Sequence, residues 1–368
     1  MRHPVALRCA ERGMQARPSF VILSFTMRSL LSLCLLNLAI APVFSAATNA
    51  AKGGDKDGKK EFDVKALSLR EVGARNTLDW RVWLEQDGEV ISFWHDIPLY
   101  PDEKQNNIVN FYVEIPRWTD GKIETKRDKP MNPIFHDDKD DVPRYVASVW
   151  PHKSYPFLYG SLPQTWENSN IKHNFTGYIG DNDPMDVVDI SAIDPGYVGQ
   201  VRTIKILGAL PMIDDETTDW KVIGININDP LSVFINNLDD LETYRPGLPQ
   251  TFYDWFTYYK VLRSGELNII YGGKFQDSNT AREIVAESHG FWKDLISGKE
   301  KPGKIIISQT SQPTICKSYI PSKDTTKKFD IPKKSDIKPA APRPAKYDKW
   351  FYLDENFLPL PEQIIDVE

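Results

Sequence analysis

Cysteine is nearly absent from this chain of 368 residues, with three in all. Cys9 and Cys34 fall in the first 50 residues, which leaves Cys316 alone in the rest. A single thiol closes no disulfide framework and builds no Cys-based zinc centre, so a stapled scaffold and a zinc finger are both excluded. Positive charge is not in excess either: 51 acids stand against 45 bases, a net charge of −6, which argues against a nucleic-acid binder held by a basic surface. Long apolar runs are confined to one N-terminal block, so multi-pass membrane architecture is excluded. The motifs G-x-x-x-x-G-K-[ST], G-x-G-x-x-G, H-E-x-x-H and G-x-S-x-G do not occur, and the six histidines show no ligand spacing.

What is present divides the chain in four. Residues 1–50 carry five Arg, no Lys and one acid, Glu11, and Met27-Arg28 leads into the uncharged run SLLSLCLLNLAIAPVFSAA. A basic start, an apolar run and the small residues Ser45-Ala46-Ala47 describe a secretory-type leader if translation begins at Met27. If it begins at Met1, the Arg-rich start suits an organellar presequence, and a single membrane anchor is the plain alternative. Residues 51–72 read as a flexible Gly/Lys/Asp linker. Residues 299–368 form a Pro/Lys-rich tail, with seven prolines between 299 and 347, expected to be extended. Its Tyr347-Asp348-Lys349-Trp350-Phe351-Tyr352 run reads as an aromatic clip docking back on the body.

Residues 73–298 hold the globular body. Strands are expected over Leu78–Leu84, Ile108–Ile115, Arg144–Trp150, Val187–Ile193, Tyr197–Leu210 and Trp220–Ile227, where β-branched and aromatic residues run between Pro, Gly, Asp and Asn. Helices are expected over Thr251–Leu262 and Asn279–Ser297, the latter capped by Asn279 and stopped by Gly298. Early strands followed by late helices predict an α+β fold, mainly β, around an antiparallel barrel.

The chemistry points to Gly180-Asp181-Asn182-Asp183-Pro184-Met185-Asp186, where three aspartates fall within six residues. Pro184 forbids a helix; in extended backbone Asp181 and Asp183 share a side, and a turn at Pro184 swings Asp186 towards them. Three like charges so close raise one another's pKa unless a cation lies among them, and oxygen-seeking divalent ions fit. A surface acidic turn is the plain alternative; an EF-hand fails, because Asp186 and Ala192 occupy the glycine and glutamate positions of that loop. Asp214-Asp215-Glu216-Thr217-Thr218-Asp219-Trp220-Lys221 adds four acids, with Asp219 and Lys221 on one strand face. Glu114-Ile115-Pro116-Arg117-Trp118 leads into Lys122-Ile123-Glu124, and Tyr258-Tyr259-Lys260 ends a helix with a phenol and an ammonium. Each alone is more often a solvated charged face; together they suggest a carboxylate cavity facing Lys, Arg and Tyr, suited to phosphoryl hydrolysis of a small, highly charged substrate.

With these motifs the chain resembles the family I soluble inorganic pyrophosphatases of the longer, eukaryotic type. The signature D-[SGDN]-D-[PE]-[LIVMF]-D-[LIVMGAC] is met in full by Asp181 to Val187. FWHDIPL at 93–99, VEIPRW at 113–118, Asn132-Pro133-Ile134, PQTWE at 163–167, TDWKVI at 218–223, Asn228-Asp229-Pro230 and YYK at 258–260 extend the match from about Gly73 to Ser297. The resemblance implies a five-stranded OB-like barrel with flanking helices and long extensions, and Mg²⁺-dependent hydrolysis of pyrophosphate to two phosphates by a metal-activated water. It implies several Mg²⁺ ions per site, with Mn²⁺ as a substitute.

The same resemblance implies roles for residues. Asp181, Asp183, Asp186, Asp214, Asp219 and Glu124 match metal ligands, and Asp183 also matches the group that holds and deprotonates the water. Tyr155 and Glu114 match catalytic neighbours of the nucleophile. Lys122, Arg144, Tyr159, Lys221, Tyr259 and Lys260 match positions that grip the phosphates. A homodimer is implied, with no nucleic-acid partner and no membrane for the mature chain. The family's usual homes are cytoplasm, mitochondrion and plastid, with which the leader is at odds; on a secretory route Asn174-Phe175-Thr176 becomes a glycosylation sequon. The run Val-Leu-Arg-Ser-Gly-Glu-Leu-Asn after Lys260 departs from the family's Gly-Lys-Pro-x-Asn, and Asp214-Asp215-Glu216-Thr217 lacks the glycine of the usual D-E-G-E. The competing readings are a non-catalytic OB-like binding module and a hydrolase of another small diphosphate.

Overall fold

The computed structural model describes residues 61–360. The expected leader therefore lies outside the described residues, as do residues 51–60 of the linker and 361–368 of the tail. The architecture is α+β and mainly β.

Two sheets carry it. The first runs β1 (Leu67–Val72), β2 (Arg81–Gln86), β6 (Ile134–His136), β5 (Ile123–Thr125), with β3 (Glu89–Ile91) paired to β2. The second places β4 (Ile108–Ile115), β7 (Leu158–Ser161), β8 (Asp186–Asp189), β9 (Val201–Asp214) and β10 (Thr217–Asn226) side by side in the order β10-β8-β7-β4-β9. A further pairing of β9 with β10 links the two ends of that order. Every pairing among these five is antiparallel except β8 with β10, which is parallel. Short strands at Ile179–Gly180 and Ile269–Ile270 extend the edges.

The second sheet has apolar side chains on both faces. Phe111, Val113, Val187, Ile204, Ile206, Trp220 and Val222 meet Ala281, Ile284 and Val285 of α4 (Ser278–Ser297). Tyr112, Phe157, Tyr159, Val188 and Ile223 meet Phe252, Trp255 and Phe256 of α2 (Leu248–Tyr258). α1 (Leu238–Tyr244), the one-turn α3 (Val261–Ser264) and α5 (Ser322–Lys328) complete the α-helices among the described residues.

Several sequence boundaries move, for local reasons. The expected helix over Thr251–Leu262 begins earlier, at Leu248-Pro249, where proline suits the first turn. It divides at Tyr259-Lys260. The cap of α4 is Asp277, whose carboxylate accepts from the Thr280 amide at 2.8 Å, instead of Asn279; Gly298 ends the helix at φ 76° as expected. β9 runs to Asp214 because the chain has no turn until Asp215-Glu216. The expected strand over Arg144–Trp150 reduces to Ser148–Val149, and Leu78–Asp79 lies in a turn before β2.

Two expectations about the extensions are corrected. Residues 61–72, assigned above to the flexible linker, hold β1, which pairs in full with β2 while Arg70 bonds Glu85 at 2.7 Å. The Pro-rich tail, expected to be extended, packs on the body in part, with Ile305, Ile320 and Ile331 buried and Thr325 of α5 donating to the Val90 carbonyl, while residues 332–340 form no helix or strand and are exposed. Sparse isoleucines, with Ile305 and Ile331 seated in separate apolar clusters, achieve what a periodic pattern normally would. Trp350–Phe351 pairs with Ser148–Val149, and Phe351 is buried beside Ala147.

Candidate active site

Strand periodicity brings the acids to one place. On β10, Trp220 and Val222 point into the apolar layer under α4, so Asp219 and Lys221 project the other way. Asp186 opens β8 directly opposite Lys221, and Ser161 of β7 lies opposite Asp186 on the other side. Tyr159, two residues before Ser161, and Glu114 on β4 extend the same floor. Lys122 and Glu124 come from β5 and its lead-in; Tyr259 and Lys260 follow the end of α2.

The result is a cavity of about 370 Å³. Its walls include eight carboxylates (Glu114, Glu124, Asp181, Asp183, Asp186, Asp214, Asp215, Asp219) and six bases (Lys122, Arg127, Arg144, Lys221, Lys260, Arg263). Of the site residues expected from sequence, Tyr155 alone does not line it. Tyr155 is buried behind the wall, its ring 5.4 Å from that of Tyr159 and 4.9 Å from Trp255. Asp181 and Asp183 reach the cavity through a turn, with Asn182 at φ 76° and the Asp183 amide donating to Asp181 Oδ1 at 3.0 Å, instead of through extended backbone.

Most of the carboxylates already have a base. Asp186 accepts from Lys221 and from the Tyr159 hydroxyl, and Lys221 lies 2.5 Å from Asp219. Glu124 pairs with Lys122, Asp214 with Lys260, and Asp183 with Arg127 at 2.6 Å. Arg144 is held by Asp137, and Glu114 accepts from the Thr125 amide at 2.8 Å and hydroxyl at 2.6 Å.

Burial and mutual repulsion set the proton affinities. Glu114 is pushed up to about 8 by burial and then by the charge of Asp186. Burial raises Asp183 to about 6 against the pull of Arg127, and Asp219 to about 7 against the pull of Lys221. Asp181 is raised by burial and by Asp219, Asp183 and Asp186 together. Glu124 is partly withdrawn from water, which raises it, yet Lys122 draws it down to about 2. Lys260 falls to about 7 through burial and the nearby charges of Lys122, Arg144 and Arg263.

Glu167, Asp181 and Asp219 each bring a carboxylate oxygen within 4.8 Å of the others. Glu167 Oε1 accepts from the Trp220 amide at 2.9 Å, while its Oε2 is buried with no hydrogen-bond partner. An orphaned buried carboxylate oxygen beside two more acids is a donor set that could hold a hard divalent cation. Sequence reasoning missed Glu167 because it lies 14 residues from Asp181. Backbone bonds between Glu167 and Asp183 and from Asn182 to Glu167 bring the two segments together, and Gly180 has no Cβ to keep them apart. Arg127 was also missed; no spacing links it to Asp183. Arg263 lines the cavity from α3.

Comparison with known proteins agrees with this geometry. The family model described as inorganic pyrophosphatase matches residues 111–293. The inorganic pyrophosphatase of Candida glabrata is 41% identical over 287 residues, covering 78% of this chain and 98% of that protein. That of Candida albicans is 39% identical over 292 residues, covering 79% and 99%. The chain belongs to the inorganic pyrophosphatase family. Among solved structures of the family, the enzyme from Schistosoma japonicum superposes with a TM-score of 0.71 at 35% identity, covering 77% of this chain and all of that one. A truncated vacuolar soluble pyrophosphatase from Trypanosoma cruzi, solved with PPi, gives 0.57 at 36% identity over 67% of this chain and 99% of that one. The matched span, residues 111–293, contains every residue that lines the cavity and none of the packed tail.

Proposed function

We infer that the protein hydrolyses inorganic pyrophosphate to two phosphates. The observation that carries this is the cavity itself: eight carboxylates facing six bases in about 370 Å³, a volume and charge pattern matched to a small polyanion accompanied by cations. We assign Mg²⁺ as the cofactor, several ions per site with Mn²⁺ as a substitute, held by Asp181, Asp219, Asp183, Asp186, Asp214 and Glu124. Glu167 joins that set on the strength of its unpartnered oxygen. When bound, such ions neutralise phosphate oxygens and lower the pKa of a coordinated water.

The chain's residues do the rest. Lys122, Arg144, Lys221 and Lys260 place charge-assisted donors on the phosphate oxygens, and Tyr159 and Tyr259 add hydroxyl donors. Asp183 orients the attacking water and takes its proton as the new P–O bond forms and the bridging P–O bond breaks. The leaving phosphate takes the electron pair of that bond, and the bases stabilise its charge. Glu114, bonded to Thr125, fixes the floor beside Asp186. Tyr155 acts from behind the wall as a support for Tyr159.

The cyclic pairing of β4, β9, β10, β8 and β7 supports reading the sheet as an OB-like barrel. Exposed aromatics at Trp118, Trp150 and Trp350 support a homodimer. The deciding experiment measures phosphate release from pyrophosphate with Mg²⁺ and with EDTA, beside Asp183→Ala. Release that needs Mg²⁺ and collapses in the variant is expected; a folded protein that binds Mg²⁺ and releases no phosphate overturns the reading in favour of a binding module.

A further inference from the structure

Arg127 differs from the lysines around the cavity. Lys221 and Lys122 are nearly enclosed, with side chains 2% and 12% exposed, whereas the Arg127 side chain is 40% exposed. Its partner, Asp183, is 41% exposed and is the acid assigned above to the attacking water. Burial works against the Arg127 charge, but Asp183, then Asp181 and Glu124, keep the guanidinium ionised. The group therefore stands in the same field that would draw in a divalent cation.

Its backbone is fixed while its side chain is not enclosed. The Arg127 carbonyl accepts from the Ile306 amide at 2.9 Å and from Asn132 Nδ2 at 3.3 Å. Asn132, fully buried, also donates to the Ile306 carbonyl at 3.1 Å, and His95 Nε2 meets that same carbonyl at 3.1 Å. The tail segment around Ile306, outside the span matched by the family model, thus anchors the pivot from which the guanidinium reaches the cavity.

We propose that Arg127 is a charge latch shared by the cation and phosphate sites. While Asp183 carries no divalent cation, the guanidinium pairs with it; when a cation claims that carboxylate, the guanidinium turns to a phosphate of the bound anion. Arginine suits both positions, because its planar fork matches a carboxylate and a phosphate alike. This rests on the pyrophosphatase reading for the identity of the anion, but not for the competition between Arg127 and a cation.

The test separates the two. Calorimetric titration of the full chain with Mg²⁺ alone, and Mn²⁺ titration followed by electron paramagnetic resonance, compare wild type with Arg127→Gln and Arg127→Lys. For a half-exposed pair, Arg127→Gln should bind the cation about two- to fivefold more tightly in the absence of anion. With Mg²⁺ saturating, the same variant should bind inorganic phosphate roughly tenfold more weakly, and KM for pyrophosphate should rise with it. Arg127→Lys should keep the wild-type cation affinity and lose part of the phosphate affinity, since its charge remains but its fork does not. Thermal unfolding checks that each variant is folded, and the Lys variant alone decides the phosphate arm if Arg127→Gln is not. Cation affinity unchanged or weakened in Arg127→Gln overturns the latch, as does phosphate affinity unchanged in Arg127→Lys. A wild type that hydrolyses no pyrophosphate sinks the functional reading while leaving the cation titration to judge the latch.

Discussion

Glu167 shows how a single atom identifies a group's work. One carboxylate oxygen is satisfied by the Trp220 amide and the other has no partner, an arrangement costly in a protein interior unless a proton or a cation completes it; burial and the charges of Asp181 and Asp219 raise its proton affinity, and a cation would compete with that proton. Glu167→Gln keeps the shape and replaces an oxygen by a nitrogen that repels a cation. Mg²⁺ affinity, read by calorimetry, should fall about ten- to a hundredfold with the melting temperature of the cation-free protein little changed. Equal affinity in both would remove Glu167 from the ligand set. A second residue-scale case is the β9–β10 turn. Asp215 and Glu216 sit at φ 46° and 62°, the left-handed region that a two-residue hairpin demands, and neither is glycine. Glu216→Gly should relieve that strain at some entropic cost and stabilise the protein by roughly 0.5–1 kcal/mol in urea unfolding. A destabilised variant would mean that the Glu216 side chain makes a compensating contact.

At the scale of elements, the tail behaves as a structural strap. Ile306 grips His95 and Asn132, and the Thr310 and Ser311 amides donate to the buried Asp96 carboxylate at 2.6 and 3.0 Å. His95 lies between strap and body, accepting at Nδ1 from Trp292 Nε1 at 3.0 Å. Burial lowers it to about 3, far below the ordinary value near 6.5. The unfolded chain therefore takes a proton near pH 6.5 that the folded one refuses until about 3. The stability that neutral His95 supplies is complete above pH 6.5 and declines as the pH falls through that window. Asp96, raised to about 6 by burial, acts oppositely, holding a proton in the fold between about pH 4 and 6 that the unfolded chain gives up, and offsets part of the decline. Urea unfolding of wild type and His95→Gln from pH 7 to 4 separates them: the variant should lose less stability on acidification, by up to about 1.4 kcal/mol per pH unit. Identical slopes would show that His95 does not titrate with unfolding.

For the whole molecule, the distribution of exposed aromatics is the guide. Trp118 and Trp150 are 56% and 55% exposed, and Trp350 packs edge-on to Trp150 at 5.3 Å. Such a cluster on a protein surface is a usual mark of a protein–protein contact. The full chain should sediment as a dimer, and Trp118→Arg should shift it towards monomer; a wild-type monomer at micromolar concentration would refute the assignment. Among the described residues no helix is long and apolar enough to cross a membrane. The proposed leader at residues 27–47 is tested by N-terminal sequencing of native protein, where a start near Ala46 to Asn49 supports cleavage and an intact Met1 refutes it.

The acidic motifs, the strand-then-helix order and the family were legible in the linear chain, because each depends on residues near one another: Asp181 to Asp186 around Pro184, Asp219 beside Lys221, Tyr259 beside Lys260. Period-two alternation was enough to put Asp219 and Lys221 on one face and Trp220 on the other. Glu167, Arg127 and the packed tail were not legible. Their partners, Asp181, Asp183 and His95, are distant in sequence and are brought near only by loop approach and strap closure. The chain itself decided which groups carry the charge. Which carboxylate remains without a base, and which arginine pairs with Asp183, follow from long-range packing, because hydrogen-bond satisfaction is settled in three dimensions after the backbone has closed.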